Sequence, residues 1–351
     1  MKIAGVGTAF PAHYYDQQTL LEALKKMLPR SGNGTARLDR LHRRVLVGGR
    51  HLALPLEEYA GLSTWGQAND AWIRVAGEVG EQALRQALER AGLAPRDIDA
   101  IFFVSVTGVA TPSVDCQFMN RMGLRPDVKR VPIFGLGCVA GAAGIARAAD
   151  YVKAYPDQVA VVVSVELCSL TLQTRDLSVA NMIATGLFGD GAAAVVVTGT
   201  DRPATGPSIV ATRSVFYPDS GDVMGWRISE KGFGIILSAR VPEVVREYVQ
   251  GDTDRFLSPH GLTRGDITWW VCHSGGPRVL EAMEDTLELP AGALGLTWKS
   301  LETIGNLSSA SVLMVLDETL RTTQPPAGSP GLMIAMGPGF CSELLLLRWP
   351  G

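Results

Sequence analysis

The sequence predicts an α/β fold assembled from two related halves. Apolar, β-rich runs alternate with helix-patterned segments along the whole chain. Several of these runs are apolar at every position, as strands covered on both faces are. Two motifs also recur in register, at an offset of about 170 residues.

The elements follow in order. Residues 3–10 read as a first strand and 16–28 as an amphipathic helix. SGNGTAR reads as a loop, and the arginines after it as part of a helix. Over 78–91, Ala83, Leu84, Ala87, Leu88 and Ala91 fall at i, i+3 and i+4 spacing, which predicts a one-faced helix. Residues 98–106 and 158–165 are strands, and 195–197, 267–272, 332–336 and 344–347 read likewise. VKRVPIFGLGCVAGAAGIARAADYVKAY reads as strand, tight glycine turn and small-residue helix, and 312–320 as a further helix.

Each half repeats two features. Gly92-Leu93-x-x-x-Asp97-Ile98 leads into one strand, and Gly261-Leu262-x-x-x-Asp266-Ile267 into another. The turn Gly137-Cys138 before a helix is echoed by Gly305-Asn306 before a helix. The halves are placed at 1–210 and 211–351. Equivalent turns of a duplicated fold face a common centre, so Cys138 and Asn306 are expected to converge.

Composition narrows the functional classes. With 351 residues, 46% of them hydrophobic, the chain has ample material for a core, which excludes disorder. A net charge of −3 excludes a partner such as nucleic acid held by a strong positive field. Five cysteines form no CxxC and no zinc-ligand spacing, so reduced thiols, no metal site and a cytoplasmic setting are expected. MKIAGVGTAFP is too short an apolar stretch for a signal peptide, and no apolar run approaches the roughly 18 residues of a membrane span.

Three positions carry chemistry. Cys138 stands where a strand turns into a helix, so helix amides there are expected to lower its pKa. It reads equally as a small buried core thiol. His273 ends the strand 267–272 and enters a glycine-rich turn, which places it exposed at the rim where α/β sites form. Asn306 reads as a helix cap or, by the repeat, as an amide opposite Cys138. A rival signal shares this segment: Gly135-x-Gly137-x-x-Ala140, followed by a strand ending near Glu166, fits a dinucleotide fingerprint.

Together GLGCVAGAAG, WWVCHSGGP, IGNLSSAS and AMGPGF resemble the type III polyketide synthases, the chalcone synthase-like branch of the thiolase superfamily. The run from Tyr217 to Trp226 resembles the bacterial alkylpyrone and alkylresorcinol synthases. The resemblance spans nearly the whole chain. It implies a five-layered αβαβα core of two duplicated halves, working as a homodimer on acyl-CoA and malonyl-CoA. No cofactor beyond these coenzyme A thioesters is implied.

Residue by residue, the resemblance makes Cys138 the nucleophile, its low pKa supplied by the helix terminus and a nearby imidazolium, and His273 and Asn306 the thioester-binding pair. Phe188 resembles the family's aromatic gatekeeper, with Ile235 at its second gatekeeper position. Cys168, Thr171 and Ser308 fall where the family lines its cavity, and Trp226 stands where the plant enzymes carry a small residue. Arg37, Arg40 and Arg44 align with positions that meet coenzyme A phosphates, although any exposed helix carries such charges. The implied reaction is iterative decarboxylative condensation of an acyl-CoA starter with malonyl-CoA, giving a pyrone or resorcinol-type product. The alternatives are a single condensation of the ketoacyl-carrier-protein synthase III kind and, from another class, an NAD-dependent oxidoreductase. His273-Ser-Gly-Gly and Asn306-Leu-Ser-Ser favour the polyketide branch.

Overall fold

The apolar runs are strands whose two faces enter different cores. A computed structural model describes residues 1–27 and 34–350. Its first half runs β1 (Lys2–Ala9), β2 (His13–Asp16), α1 (Gln17–Met27), α2 (Gly34–Arg44), β3 (Gly49–Leu52), α3 (Trp65–Ala91), β4 (Ala100–Val104) and α4 (Asp115–Met122). β5 (Lys129–Ile133), α5 (Ala140–Ala154), β6 (Val159–Leu167), α6 (Val179–Leu187) and β7 (Asp190–Thr198) complete it. The second half opens with β8 (Ser208–Phe216), the hairpin β9 (Met224–Ser229) and β10 (Gly232–Leu237), α7 (Val241–Leu257) and β11 (Trp269–Cys272). It ends with α8 (Pro277–Leu287), α9 (Gly295–Ile304), α10 (Ser311–Thr322), β12 (Pro330–Gly337) and β13 (Cys341–Arg348).

Nine strands run in the order β11-β12-β13-β8-β1-β7-β6-β4-β5. The halves meet between β1 and β8 through the single pair Lys2 and Ser208, so the sheet is two sub-sheets joined at an edge. Side chains alternate across each strand. On β6, Val159, Val161, Val163 and Val165 face a core with α3, while Ala160 and Val162 face α5. On β13, Leu345 and Leu347 point to the layer that holds α5 and α10, and Leu344 and Leu346 to the layer of α7 and α8. Three cores therefore separate five layers, helix, sheet, helix pair, sheet and helix. This thiolase-like arrangement is the α/β architecture expected from the sequence, and double coverage is why the runs lack alternation.

Pairing within the sub-sheets repeats. β4 and β6 are parallel while β6 to β7 and β7 to β1 are antiparallel. β11 and β12 are parallel while β12 to β13 and β13 to β8 are antiparallel. Among the described residues the second half has no counterpart of β5, and α9 leads to Gly305 instead.

Local outcomes differ from expectation in two places. The helix expected over 78–91 begins at Trp65, where Thr64 and Gln67 form a capping box that supplies partners for the first-turn amides. Of SGNGTAR, Ser31, Gly32 and Asn33 lie outside the described residues, as does Leu28, and the part from Gly34 onward is already α2.

Candidate active site

Cys138 is delivered by the end of β5. The chain turns through Gly137 at φ +55°, where a Cβ would stand 2.5 Å from the Pro338 ring, so a side chain is excluded there. Cys138 lies in the short helical turn Gly137–Val139 that opens α5 and is buried. Its thiol donates to Ser308 Oγ at 3.6 Å. Ser308 itself holds φ +47°, an uncommon conformation for a residue with a side chain, and this strain lies beside the thiol.

His273 follows β11, and its N–H donates to the Ile334 carbonyl of β12 at 3.0 Å, which fixes the ring's origin. Expected exposed, it is 8% exposed, because the Cys138 turn and the hairpin β9–β10 close over the rim. Its Nδ1 is buried without a partner. Burying an orphan N–H costs more than burying an unused acceptor, so the proton belongs on Nε2.

Asn306 is placed from both sides. Its N–H donates to the Leu187 carbonyl at 2.9 Å, and its carbonyl accepts from Gly189 N–H at 3.0 Å. Its Oδ1 accepts from Ser308 N–H at 2.8 Å and from Ser311 Oγ at 3.4 Å. These two donors fix the amide orientation. Nδ2 is thereby the donor end, bonded only to the Gly275 carbonyl at 3.3 Å. Cys138, His273, Asn306 and Ser308 line one cavity. The convergence expected from the repeat is present.

Burial dominates the electrostatics. It pushes the Cys138 thiol up to about 12, outweighing the smaller opposing effect of the hydrogen bond between the thiol and Ser308. It pushes His273 down to about 4. The expected imidazolium and lowered thiol are therefore not the resting state, since desolvation penalises both charged forms. A neutral imidazole with its hydrogen on Nε2 still serves as a hydrogen-bond donor.

A second cavity adjoins the first, and Phe188, Trp226 and Ile235 line both. Ile235 on β10 pairs with Trp226 on β9, so the hairpin presents the two side by side opposite Phe188. Cys168 and Thr171, expected at the cavity, line the second one and not that of Cys138. Arg37, Arg40 and Arg44 are exposed on α2 and line neither cavity. On the same helix His42 is buried, with Nε2 3.2 Å from Thr185 Oγ1 of α6, and is pushed down to about 4 by burial.

Sequence reasoning missed the buried polar groups around these cavities. Arg50, Tyr59 and Ser169 line the second, and Asp190 accepts from Ala53 N–H at 2.6 Å and Ser169 N–H at 2.8 Å. A lone aspartate opening the apolar run of β7 was the available signal. Glu166 accepts from Val106 N–H at 3.1 Å, from Thr107 Oγ1 at 2.9 Å and from Ser309 Oγ. Burial pushes it up to about 7. It is fully buried inside this network and unavailable to a ribose, while Pro338 covers the Gly137 turn, so the dinucleotide reading of Gly135, Gly137 and Ala140 is corrected. All five cysteines are free. No helix among the described residues is long and apolar enough to cross a membrane.

Comparison with known proteins agrees across the chain. Residues 1–202 match the model of the N-terminal domain of chalcone and stilbene synthases, and residues 208–349 that of their C-terminal domain. The chain is 53% identical over 350 residues to a 1,3,6,8-tetrahydroxynaphthalene synthase of Streptomyces peucetius subsp. caesius, covering 99% of this chain and 93% of that protein. It is 32% identical over 355 residues to a 3,5-dihydroxyphenylacetyl-CoA synthase of Amycolatopsis orientalis, covering 99% and 93%. The crystal structure of 1,3,6,8-tetrahydroxynaphthalene synthase from Streptomyces coelicolor A3(2), a bacterial type III polyketide synthase, superposes with a TM-score of 0.94 at 31% identity over 100% of both chains.

Proposed function

This chain belongs to the chalcone and stilbene synthase family, the type III polyketide synthases, and we propose that it performs its condensations with Cys138, His273 and Asn306. A synthase of this family joins coenzyme A thioesters iteratively and is an acyltransferase. The observation that carries the residue assignment is the fixed amide of Asn306. Its donor end and the Nε2 of His273 share a cavity with the Cys138 thiol.

The chemistry follows from these atoms. Cys138 attacks the starter thioester and holds the acyl group as a thioester, its proton passing to the departing coenzyme A sulfur, which leaves as the thiol. Malonyl-CoA then loses carbon dioxide, and the electron pair of the broken C–C bond builds charge on the thioester oxygen. Asn306 Nδ2–H and His273 Nε2–H stabilise that enolate as an oxyanion hole does. The enolate carbon attacks the Cys138 thioester and releases the thiolate, and the lengthened chain stays on coenzyme A. The neutral His273 suits this step, because the step needs a donor and not a charge.

Among pyrone and resorcinol-type outcomes, the names of the relatives favour aromatic closure, and a tetrahydroxynaphthalene-type product from malonyl-CoA is the reading adopted. Trp226, Phe188 and Ile235 form the gate between the two cavities in this reading. Cys168 and Thr171 on one side of this gate, and Ser308 on the side of Cys138, line the space in which the chain folds. Arg37, Arg40 and Arg44 would meet the coenzyme A phosphates. The protein would act as a cytoplasmic homodimer with no cofactor beyond its thioester substrates. The exposed edge strand β5, with its own Val131 and the adjoining Phe134 exposed, supports pairing with a second copy.

Incubation with malonyl-CoA, with products and protein followed by mass spectrometry, tests the reading. The intact protein should give an aromatic polyketide, and Cys138→Ala should form neither acyl-enzyme nor condensed product. Condensation by that variant would refute the nucleophile, and a diketide made only with carrier protein would point to single condensation.

A further inference from the structure

Arg50 lies outside the reaction, yet it is 4% exposed at the junction that carries both Phe188 and Asn306. Its Nη1 donates to the Gly186 carbonyl at 2.7 Å and to Gln17 Oε1, and its Nη2 to the Thr185 carbonyl. Gln17 Nε2 donates to the same Gly186 carbonyl at 2.9 Å. These carbonyls belong to the last turn of α6, which has no further intrahelical donors and whose dipole favours a positive charge. Burial lowers Arg50 only to about 10, so it stays charged at neutral pH.

The next three residues tie this clamp to the site. Leu187 accepts the Asn306 N–H, Phe188 forms an isolated parallel bridge with Asn306, and Gly189 donates to the Asn306 carbonyl. Two glycines open the notch in which the Arg50 stem lies. A Cβ on Gly189 would stand 3.1 Å from Arg50 Cβ, and one on Gly305 would stand 3.7 Å from Arg50 Cδ. Gly189 and Gly305 flank the bridge on its two strands, so Arg50 packs against both sides of it.

We propose that Arg50 is a positioning residue, which fixes the last turn of α6 and through it sets the Phe188 gate and the Asn306 donor together. This role rests on the Asn306 assignment above. A planar fork meets two successive carbonyls and a glutamine, and a lysine ammonium does not reproduce that geometry. Loss of the fork frees the α6 terminus and moves the Asn306 backbone, whereas the backbone of the Cys138 turn is carried separately by β5 and α5.

Arg50→Gln is therefore expected to slow malonyl-CoA decarboxylation by about 10²-fold in kcat, the scale of a misplaced reacting group, with little change in KM. Acyl-enzyme formation on Cys138, read by intact mass, should stay at the level of the parent protein. Arg50→Lys should restore only part of the rate. In an Asn306→Ala background, Arg50→Gln should add no more than about twofold, because the two act through one group.

Parent-level turnover by Arg50→Gln would overturn the proposal, as would an effect that multiplies fully with Asn306→Ala, the mark of a structural role. Parent-level turnover by Asn306→Ala alone would overturn both the site assignment and this role. Loss there with parent-level Arg50→Gln overturns only the positioning role. If the Arg50 variants do not fold, Gln17→Leu decides. It removes one neighbour of the fork from a partly exposed site and should lower kcat about tenfold with KM unchanged. Parent-level kcat in that variant would overturn the proposal.

Discussion

The two halves repeat the same strand pairing and entry turns where they hold the fold and differ where they hold the chemistry. Before β4, Ala94 N–H donates to Asp97 Oδ2 at 2.8 Å, after Gly92 at φ +66°. Before β11, Thr263 N–H donates to Asp266 Oδ2 at 2.8 Å, after Gly261 at φ +67°. The reactive turns share no such likeness. Cys138 is presented by its own half, on a strand-to-helix elbow. Asn306 has no preceding strand and is hydrogen-bonded to Leu187 and Gly189 of the other half. The nucleophile is thus a local feature, whereas the donor's position is a property of the junction between halves.

The largest expected effects break the site where the halves meet. Asn306→Ala or His273→Ala should each lower malonyl-CoA decarboxylation by about 10²–10³-fold, the cost of one oxyanion donor. Carbon dioxide release measures this directly. Acylation of Cys138 should survive in Asn306→Ala, and its loss would mean that the donor also governs the first step.

Displacing each turn without touching its reactive side chain sharpens the contrast. Gly305 sits at φ +76° and ψ −164°, a region essentially closed to other residues, and its Cβ would stand 2.7 Å from the Leu187 carbonyl. Gly305→Ala should therefore slow decarboxylation about tenfold or more and lower stability by about 3 kcal/mol, while acylation persists. Gly137→Ala drives a Cβ at Pro338 and should impair acylation first. Equal effects on both steps in both variants would contradict the division between a local nucleophile and a junctional donor.

The same division explains what could be read from sequence. Strands β6, β12 and β13 were legible because both faces are covered and each carries an almost unbroken apolar run. β8 was not, since its residues are largely half-buried or exposed and carry Thr212, Arg213 and Ser214. Cys138 was legible because its setting is local, and Asn306 through the repeat. Arg50 was invisible. An arginine in VGGRHL looks like surface, and only the packing of β3 under α6 buries it. The expected ionised pair failed for a related reason, because sequence shows the helix terminus and not the depth of burial opposing it.

A smaller effect is expected at the buried brace between α2 and α6. His42 is held neutral by burial, with a folded pKa near 4 against about 6.5 unfolded. Between these values the unfolded chain binds the proton and the folded one does not, so stability falls as pH drops from about 6.5 toward 4. The loss from pH 7 to 5 should be about 2 kcal/mol from His42 alone. His42→Gln should flatten the urea midpoint over this interval relative to the parent. An unchanged slope would mean that His42 is charged in the folded protein and that the α2–α6 contact is open to water.

The smallest effect is also the strictest check on the likeness of the halves. Asp97 and Asp266 each accept a backbone N–H three residues earlier, in turns of the same shape. Asp97→Ala, and Asp266→Ala in a Thr263→Ala background, should each lower the melting temperature by about 2 °C, and by matching amounts. Neither carboxylate lines either cavity, so polyketide formation should continue at the parent rate. Asp266 also accepts from Thr263 Oγ1 at 2.7 Å, a contact that Ala94 has no atom to supply in the other half. Thr263→Ala should therefore bring the second turn to the level of the first. Matched losses would show that the two halves kept their entry turns for folding alone, leaving divergence to the turns at Cys138 and Asn306. A clearly larger loss at Asp97 would instead tie its turn to the half that carries the nucleophile.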